Sequence, residues 1–351
     1  MDEGARAQDP PGLDLAALRS YLDRAAPGLL DGPLSAEVIA GGRSNLTYTV
    51  SDGRTTVVVR RPPLGHVLAT AHDMSREHRV MTALATTDVP VPQTYSLCED
   101  PDVIGAPFYV MQRAPGRPYR LAAELEPLGV DRTRAISTRL VDVLGALHQV
   151  DPAQVGLEDF GHPQGFLARQ VRRWGEQLDA SRHRELKDAD ALRSALTQSN
   201  PPEQPPAIVH GDYRLDNVLV EAVGTSDEIT AVLDWEMATL GDPLTDLALL
   251  TVYTRLAELM PGSSLVTDVS RAPGFLGVDE QVARYEQTSG RHAADLGFYE
   301  ALAFFKLAVI LEGIHLRHAQ GKTVGEGFAH IGDAVEPLLA AGLSVISRAR
   351  T

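Results

Sequence analysis

Apolar residues recur at helical spacing from Leu13 to Leu30, with Asp14 near the start and Pro27-Gly28 near the end, so the described pattern opens on a short amphipathic helix. The period then changes. Glu37–Ala40, Leu46–Ser51 and Arg54–Arg60 are β-rich runs separated by Gly41-Gly42-Arg43-Ser44-Asn45 and by the turn pair Asp52-Gly53, which predicts a three-stranded meander with a glycine loop at its first corner. A helix fits Met74–Thr86, Pro90 and Pro92 stop it, and strand-like runs follow at Gln93–Leu97 and Phe108–Gln112. Past Pro115-Gly116 helical periodicity takes over at Ala135–Val150, Phe166–Leu178 and Ala189–Thr197. The proline-rich stretch 201–206 leads into a short strand at Ala207–Val209, and Asn217–Glu221 with Glu228–Asp234 predicts a hairpin. Helices are then expected at Leu244–Leu259, Val278–Gln287, Leu296–Gln320 and Ala334–Ile346. The order predicts an α+β chain of two lobes: residues 1–113, an antiparallel sheet with one main helix, and residues 114–351, mostly helical with one hairpin.

Composition narrows the function. The 351 residues are 44% hydrophobic and 23% charged, which is ordinary globular usage. Lys plus Arg total 32 against 47 Asp plus Glu, a net charge of −15, which argues against a nucleic-acid partner. Cys98 is the only cysteine, so neither an intrachain disulfide nor a Cys-based zinc site is available, and Glu99 and Asp100 disfavour a thiolate there. Met1–Pro11 carries acidic residues and no apolar run, and no stretch approaches the roughly 18 apolar residues of a membrane span. A cytoplasmic location without a membrane partner is therefore expected. Only Lys187, Lys306 and Lys322 are lysines, so any chemistry that needs a cation in the first lobe falls to arginine.

The sharpest chemical signal is His210-Gly211-Asp212-Tyr213-Arg214-Leu215-Asp216-Asn217, followed after the hairpin by Asp234-Trp235. Phosphoryl transfer from a nucleotide needs a carboxylate to accept the proton of the attacking hydroxyl, oxygen ligands for Mg²⁺, and cations on the transferring phosphate. Asp212 suits the base, Asn217 and Asp234 suit the metal, and Arg214 stands two residues past the base, within reach of the phosphate. His210 reads as a hydrogen-bonder bracing the loop, because the proton-acceptor role is already filled.

These residues resemble the aminoglycoside phosphotransferase and choline kinase superfamily, a small-molecule branch of the protein-kinase-like fold. The 210–217 segment is similar to its catalytic loop and Leu233-Asp234-Trp235-Glu236 to its metal-binding segment. Residues 241–248 and 144–151 resemble further parts of that fold. Gly41-Gly42-Arg43-Ser44-Asn45, Val59-Arg60-Arg61-Pro62-Pro63, residues 76–80 and residues 169–174 resemble a branch found near, or fused to, acyl-CoA dehydrogenases. The resemblance implies a bilobal kinase-like fold using ATP (or GTP) and Mg²⁺. Gly41, Gly42, Ser44 and Asn45 would cover the nucleotide phosphates. Kinases of this fold ordinarily hold the phosphates with a third-strand lysine braced by a helix glutamate. Here Arg60 replaces that lysine, with Glu77 as its partner or Asp73 as the fallback, while Arg61 points to the opposite face of the strand. Met111, Gln112 and Ala114 fall at the passage from strand to hinge, where backbone groups would meet the adenine edge and Met111 would line its pocket or simply fill the core. Asp242 and Asp246 are assigned to support of the catalytic loop.

The acceptor is expected to be a small-molecule hydroxyl. From Asp242 to Thr351 there are 13 acidic and 9 basic residues, a weak bias for a polycationic aminoglycoside. Arg169, Arg172 and Arg173 share one helix face, and Lys306 and Arg317 lie on a later helix, a distribution that suits an anionic or hydroxy-acyl acceptor or, equally, solvated helix faces. A nucleotide-binding pseudokinase or regulatory module is the alternative, motivated by the missing lysine. A metal-dependent phosphohydrolase is the third reading.

Overall fold

The computed structural model describes residues 9–39, 45–64, 73–199, 201–224, 226–260, 267–322, 328 and 330–349. The chain divides into two compact units, residues 1–115 with 230–238, and residues 116–229 with 239–351.

In the first unit the leading helix α1 (Leu15–Ala25) is capped by Asp14, whose carboxylate accepts from the Ala17 amide at 2.9 Å. There follow β1 (Ser35–Val38), β2 (Leu46–Ser51), β3 (Thr56–Arg61), α2 (Met74–Leu84), β4 (Thr94–Cys98) and β5 (Phe108–Gln112). The strands form one antiparallel sheet in the order β1-β2-β3-β5-β4. Strand alternation sorts the sheet into two faces. Val57, Val59, Phe108 and Val110 turn towards Leu18 and Leu22 of α1 and make the core of this unit. Val58, Arg60, Tyr109 and Met111 lie on the other face, with Arg60 directly opposite Tyr109 on β5 and Thr47 on β2.

Arg61, on the core face as expected, is buried and donates to the backbone carbonyls of Gly12, Ile104 (2.9 Å) and Pro62 (3.2 Å). Asp73 caps α2 by accepting from the Arg76 amide at 3.0 Å, which commits it to the helix end. A single cut after residue 113 does not describe the division of the chain. Residues 230–238 belong with the sheet unit because the Val232 amide donates to Pro90 O at 2.8 Å and Arg76 Nη2 to Ala238 O at 3.1 Å.

The second unit contains α3 (Ala122–Leu125), α4 (Val130–Gln149), α5 (Phe166–Ser181), α6 (Ala189–Gln198), β6 (Ala207–Val209), β7 (Val218–Val223), the start of β8 (Ser226–Val232), β9 (Thr239–Gly241), α7 (Leu244–Leu259), α8 (Val278–Ser289), α9 (Leu296–Ala319) and α10 (Val335–Ala349). Helix α9 is its spine: Phe298, Leu302, Phe305 and Val309 are buried, and the helix packs on α5, α7 and α10. No helix among the described residues is long and apolar enough to cross a membrane. Helix α4 starts at Val130, five residues before the apolar period becomes legible, because its first turn is polar. Strand β9 was invisible to periodicity at three residues, yet its antiparallel pairing with β6 sets the base of the 210–217 loop.

Candidate active site

Two clusters of polar side chains occupy the two units, and each is built by its own elements. In the first unit, the alternation of β3 that buries Val59 presents Arg60 to α2. Its Nε lies 3.1 Å from Glu77 Oε2, close enough for an ion pair although not aligned as a hydrogen bond, and its Nη2 donates to Asp234 Oδ1 at 2.6 Å. Glu236 Oε2 stands 3.9 Å from the same Nη2. Asn45 Nδ2 donates to Glu77 Oε1 at 3.2 Å and Glu236 Oε2 at 3.3 Å, and the Tyr109 hydroxyl donates to Glu77 Oε2 at 3.0 Å. One guanidinium thus meets three carboxylates. Burial pushes the Glu77 carboxyl above its ordinary range, with Arg60 opposing, and burial followed by the Glu77 charge holds Tyr109 well above the usual phenol value. Burial alone would lower the Arg60 pKa, but Tyr109, Glu77 and Asp234 leave it raised, so the guanidinium stays charged.

Asp234 adopts the left-handed region at φ 66°, an uncommon conformation for a residue with a side chain. Of the remaining residues assigned to nucleotide binding, Met111 is buried on the Arg60 face, Gln112 closes β5 with its amide donating to Gln93 O at 2.7 Å, and Ala114 lies half-buried just past the strand. Gly41, Gly42 and Ser44 lie outside the described residues.

In the second unit, β6 delivers the chain to His210, which is fully buried, and Gly211 turns it at φ 85°, a region that glycine enters without strain. The Asp246 carboxylate, in the first turn of α7, accepts from the amides of His210 at 2.6 Å and Gly211 at 2.8 Å. Behind it His148 places Nε2 3.4 Å from Asp246 Oδ2 and Nδ1 2.8 Å from the Tyr285 hydroxyl. Burial pushes Asp246 up, but His148, His210 and the Gly211 amide outweigh it, so the carboxyl stays below its usual range. Asp242 accepts from the Leu244 amide (3.0 Å), the Gln204 amide (2.8 Å) and the Tyr299 hydroxyl (2.9 Å). Asp246 therefore pins the loop directly, whereas Asp242 caps the start of α7 and ties it to Gln204 and Tyr299.

On this scaffold Asp212 is held from two sides. Asn217 Nδ2 donates to Asp212 Oδ2 at 3.0 Å and to its carbonyl at 2.8 Å, while the Tyr253 hydroxyl donates to Oδ1 at 2.8 Å. With its amide nitrogen spent on Asp212, Asn217 keeps its amide oxygen for another ligand. Arg214 Nε lies 3.6 Å from Asp212 Oδ2 and 2.9 Å from Asp216 Oδ1, and its guanidinium stands 4.9 Å from the Tyr253 ring centroid. Arg214 and Tyr253 also wall a small, shallow depression whose other sides include Leu140, Leu250, Val269 and Phe275. Lys306 turns inward, its Nζ donating to Gly211 O at 2.6 Å. Arg169 donates to the carbonyls of His162 and Gln164 in the segment before α5, and Arg172 pairs loosely with Glu176 one turn along the helix at 3.8 Å.

Tyr253, Tyr109 and Glu236 were not singled out from sequence. Tyr253 follows Asp246 by two helical turns and so shares its face, and Tyr109 is two residues from Met111 on one strand face. Both periods were readable.

A model of the phosphotransferase enzyme family matches residues 35–321. Acyl-CoA dehydrogenase family member 11 of Gallus gallus is 34% identical over 346 residues, covering 95% of this chain and 44% of that protein. The chain spans less than half the length of the curated relatives it matches. Among solved structures, a Ralstonia eutropha JMP134 protein provisionally assigned as an aminoglycoside phosphotransferase superposes with a TM-score of 0.83 at 34% identity, covering 95% of this chain and 98% of that one. A thermostable mutant of aminoglycoside phosphotransferase APH(4)-Ia, in ternary complex with AMP-PNP and hygromycin B, shares the fold at a TM-score of 0.62 and 15% identity, covering 94% of this chain and 98% of that one. With the family match running from β1 to just past α9 and 34% identity sustained over 95% of its length, the chain belongs to the phosphotransferase enzyme family.

Proposed function

We propose that the chain is a kinase that moves the γ-phosphate of ATP, with Mg²⁺, to a hydroxyl of a small molecule. The observation that carries this reading is Asp212 held by Asn217 and Tyr253 on a loop whose backbone is pinned by Asp246. A base so restrained has one orientation to offer an incoming hydroxyl. Family membership supports phosphotransfer, and the AMP-PNP in the APH(4)-Ia complex supports a nucleotide donor.

Asp212 takes the proton of the acceptor hydroxyl, and Arg214 offers its charge to the transferring phosphate. Asp234 and the amide oxygen of Asn217 are hard oxygen donors that fit Mg²⁺, which is commonly held by one or two protein oxygens together with substrate phosphates. When bound, the ion would neutralise charge on the phosphates. Arg60, braced by Glu77, anchors the phosphates, Asn45 with Gly41, Gly42 and Ser44 covers them, and the backbone of Gln112 and Ala114 meets the adenine beside Met111.

For the acceptor we favour a hydroxy-acyl or similar anionic molecule with an apolar chain over an aminoglycoside. The depression beside Arg214 and Tyr253 has mostly apolar walls, which suits an apolar portion of the acceptor better than the hydroxyls and amines of an aminoglycoside. The name of the Gallus gallus relative favours an acyl compound as well.

The experiment is Mg²⁺–nucleotide binding, with ATP and GTP, followed by phosphate transfer across hydroxy acids, hydroxyacyl-CoAs, aminoglycosides and macrolides. Transfer to a hydroxy acid that disappears in Asp212→Ala supports the reading. Equal nucleotide binding by both proteins, with transfer by neither, would instead mark a nucleotide-binding regulatory module.

A further inference from the structure

The peptide that joins Gly211 to Asp212 is gripped at both ends. Its carbonyl accepts from Lys306 Nζ at 2.6 Å, and its amide, that of Asp212, donates to His210 Nδ1 at 3.2 Å. The preceding amide, that of Gly211, is taken by Asp246. At φ 85° Gly211 has no side chain to limit how this peptide plane turns. Its orientation must come from those partners, and it sets where the Asp212 carboxylate points.

Lys306 is suited to the task in a way its neighbours are not. The chain uses 32 Lys plus Arg, of which only three are lysines, and one of the three stands here in the middle of α9. Its ammonium lies 5.7 Å from the Trp174 ring centroid, within cation–π range, while Arg173 stands 5.6 Å from the same ring. A single carbonyl in a confined space takes a compact point donor, whereas a guanidinium would bring a planar fork with donors left over. Burial lowers the Lys306 pKa, and the Asp212 and Asp246 charges oppose that.

We propose that Lys306 is a positioning residue: from α9 it fixes the Gly211–Asp212 peptide plane and so aims the Asp212 carboxylate, without touching substrate. The proposal rests on the kinase reading for its consequence in turnover, but the clamp itself is a claim about the loop.

Two measurements separate the claims. In the first, Lys306→Met lowers kcat at least tenfold, while nucleotide Kd and acceptor KM stay within threefold. Lys306→Cys treated with 2-bromoethylamine, which rebuilds a lysine-like ammonium, recovers at least half of kcat. Wild type treated in parallel is the control, since its only cysteine, Cys98, is buried. In the second, amide hydrogen exchange at Asp212 speeds at least tenfold in Lys306→Met. A kcat within twofold of wild type, or one that aminoethylation fails to raise, overturns the positioning role. Loss of the folded far-UV spectrum in both variants also overturns it, making Lys306 a packing residue. If wild type transfers phosphate to nothing tested, the kinase reading falls. The clamp then stands or falls on the exchange rate alone.

Discussion

Arg60 places one guanidinium nitrogen 2.6 Å from Asp234 and another 3.1 Å from Glu77. The cation assigned to the nucleotide phosphates thus lies beside the carboxylate assigned to the metal. A bound Mg²⁺–nucleotide would offer phosphate oxygens to Arg60 and an ion to Asp234. Arg60→Ala then loses a charge-assisted contact worth roughly 1.5–3 kcal/mol, a fall in nucleotide affinity of about ten- to a hundredfold. Arg60→Lys keeps the charge but cannot span Glu77 and Asp234 with one planar fork, so its affinity lies between the two. Titration calorimetry with an ATP analogue checks both, and an unchanged affinity in Arg60→Ala removes Arg60 from the site.

The neighbouring arginine makes the opposite prediction. Arg61 is buried on the core face and satisfies carbonyls of Gly12, Ile104 and Pro62. Removing it strands those acceptors, at a cost of about 1–3 kcal/mol. Arg61→Ala should lower the denaturant midpoint of the first unit and leave the nucleotide affinity of the folded protein within twofold. A variant with normal stability and poor nucleotide binding would reverse the assignment of the two faces.

That contrast shows what the sequence carried and what it withheld. Two adjacent arginines on a strand must face opposite ways, so the opposite facing of Arg60 and Arg61 was legible from alternation alone. The loop 210–217 was legible because residue types so specialised, so closely spaced, leave few other uses. The contacts of Glu236 with Asn45 and Arg60, and of Tyr253 with Asp212, were not, because even a readable helix face does not say which partner packs against it. The grouping of residues 230–238 with the sheet was hidden for the same reason. It rests on backbone hydrogen bonds such as Val232 to Pro90, which leave no trace in side-chain pattern.

Tyr253 offers a graded test of the base. Asp212→Asn removes the proton acceptor and should lower kcat by about 10²–10⁴ with nucleotide affinity nearly unchanged. Tyr253→Phe removes only the 2.8 Å bond to Oδ1, leaving Asn217 on Oδ2. It should cost about 1 kcal/mol in the transition state, a several-fold loss of kcat. The double variant should be no worse than Asp212→Asn alone, since Tyr253 acts through that carboxylate. Steady-state kinetics of the four proteins decide the matter, and additive losses would give Tyr253 a separate function.

The support behind the loop predicts a pH dependence. His148 is fully buried between Tyr285 and Asp246, and burial lowers its pKa below the ordinary value, with the hydrogen bond and charge of Asp246 opposing. In the unfolded chain histidine takes a proton near pH 6.5, whereas native His148 stays neutral to lower pH. Below about 6.5 the unfolded state therefore binds more protons, and stability falls as pH drops towards the native value, by at most about 1.4 kcal/mol per pH unit for one group. His78 and His315 are also pushed down by burial and add slope of the same sign. The diagnostic is accordingly a difference. Urea unfolding of wild type and His148→Gln between pH 8 and 5 should give two curves that separate by a constant above pH 6.5 and converge below it, because glutamine has no proton to take. Parallel curves throughout would mean that His148 titrates natively as it does in the unfolded chain, and that the Asp246 support of His210 and Gly211 does not depend on a neutral imidazole.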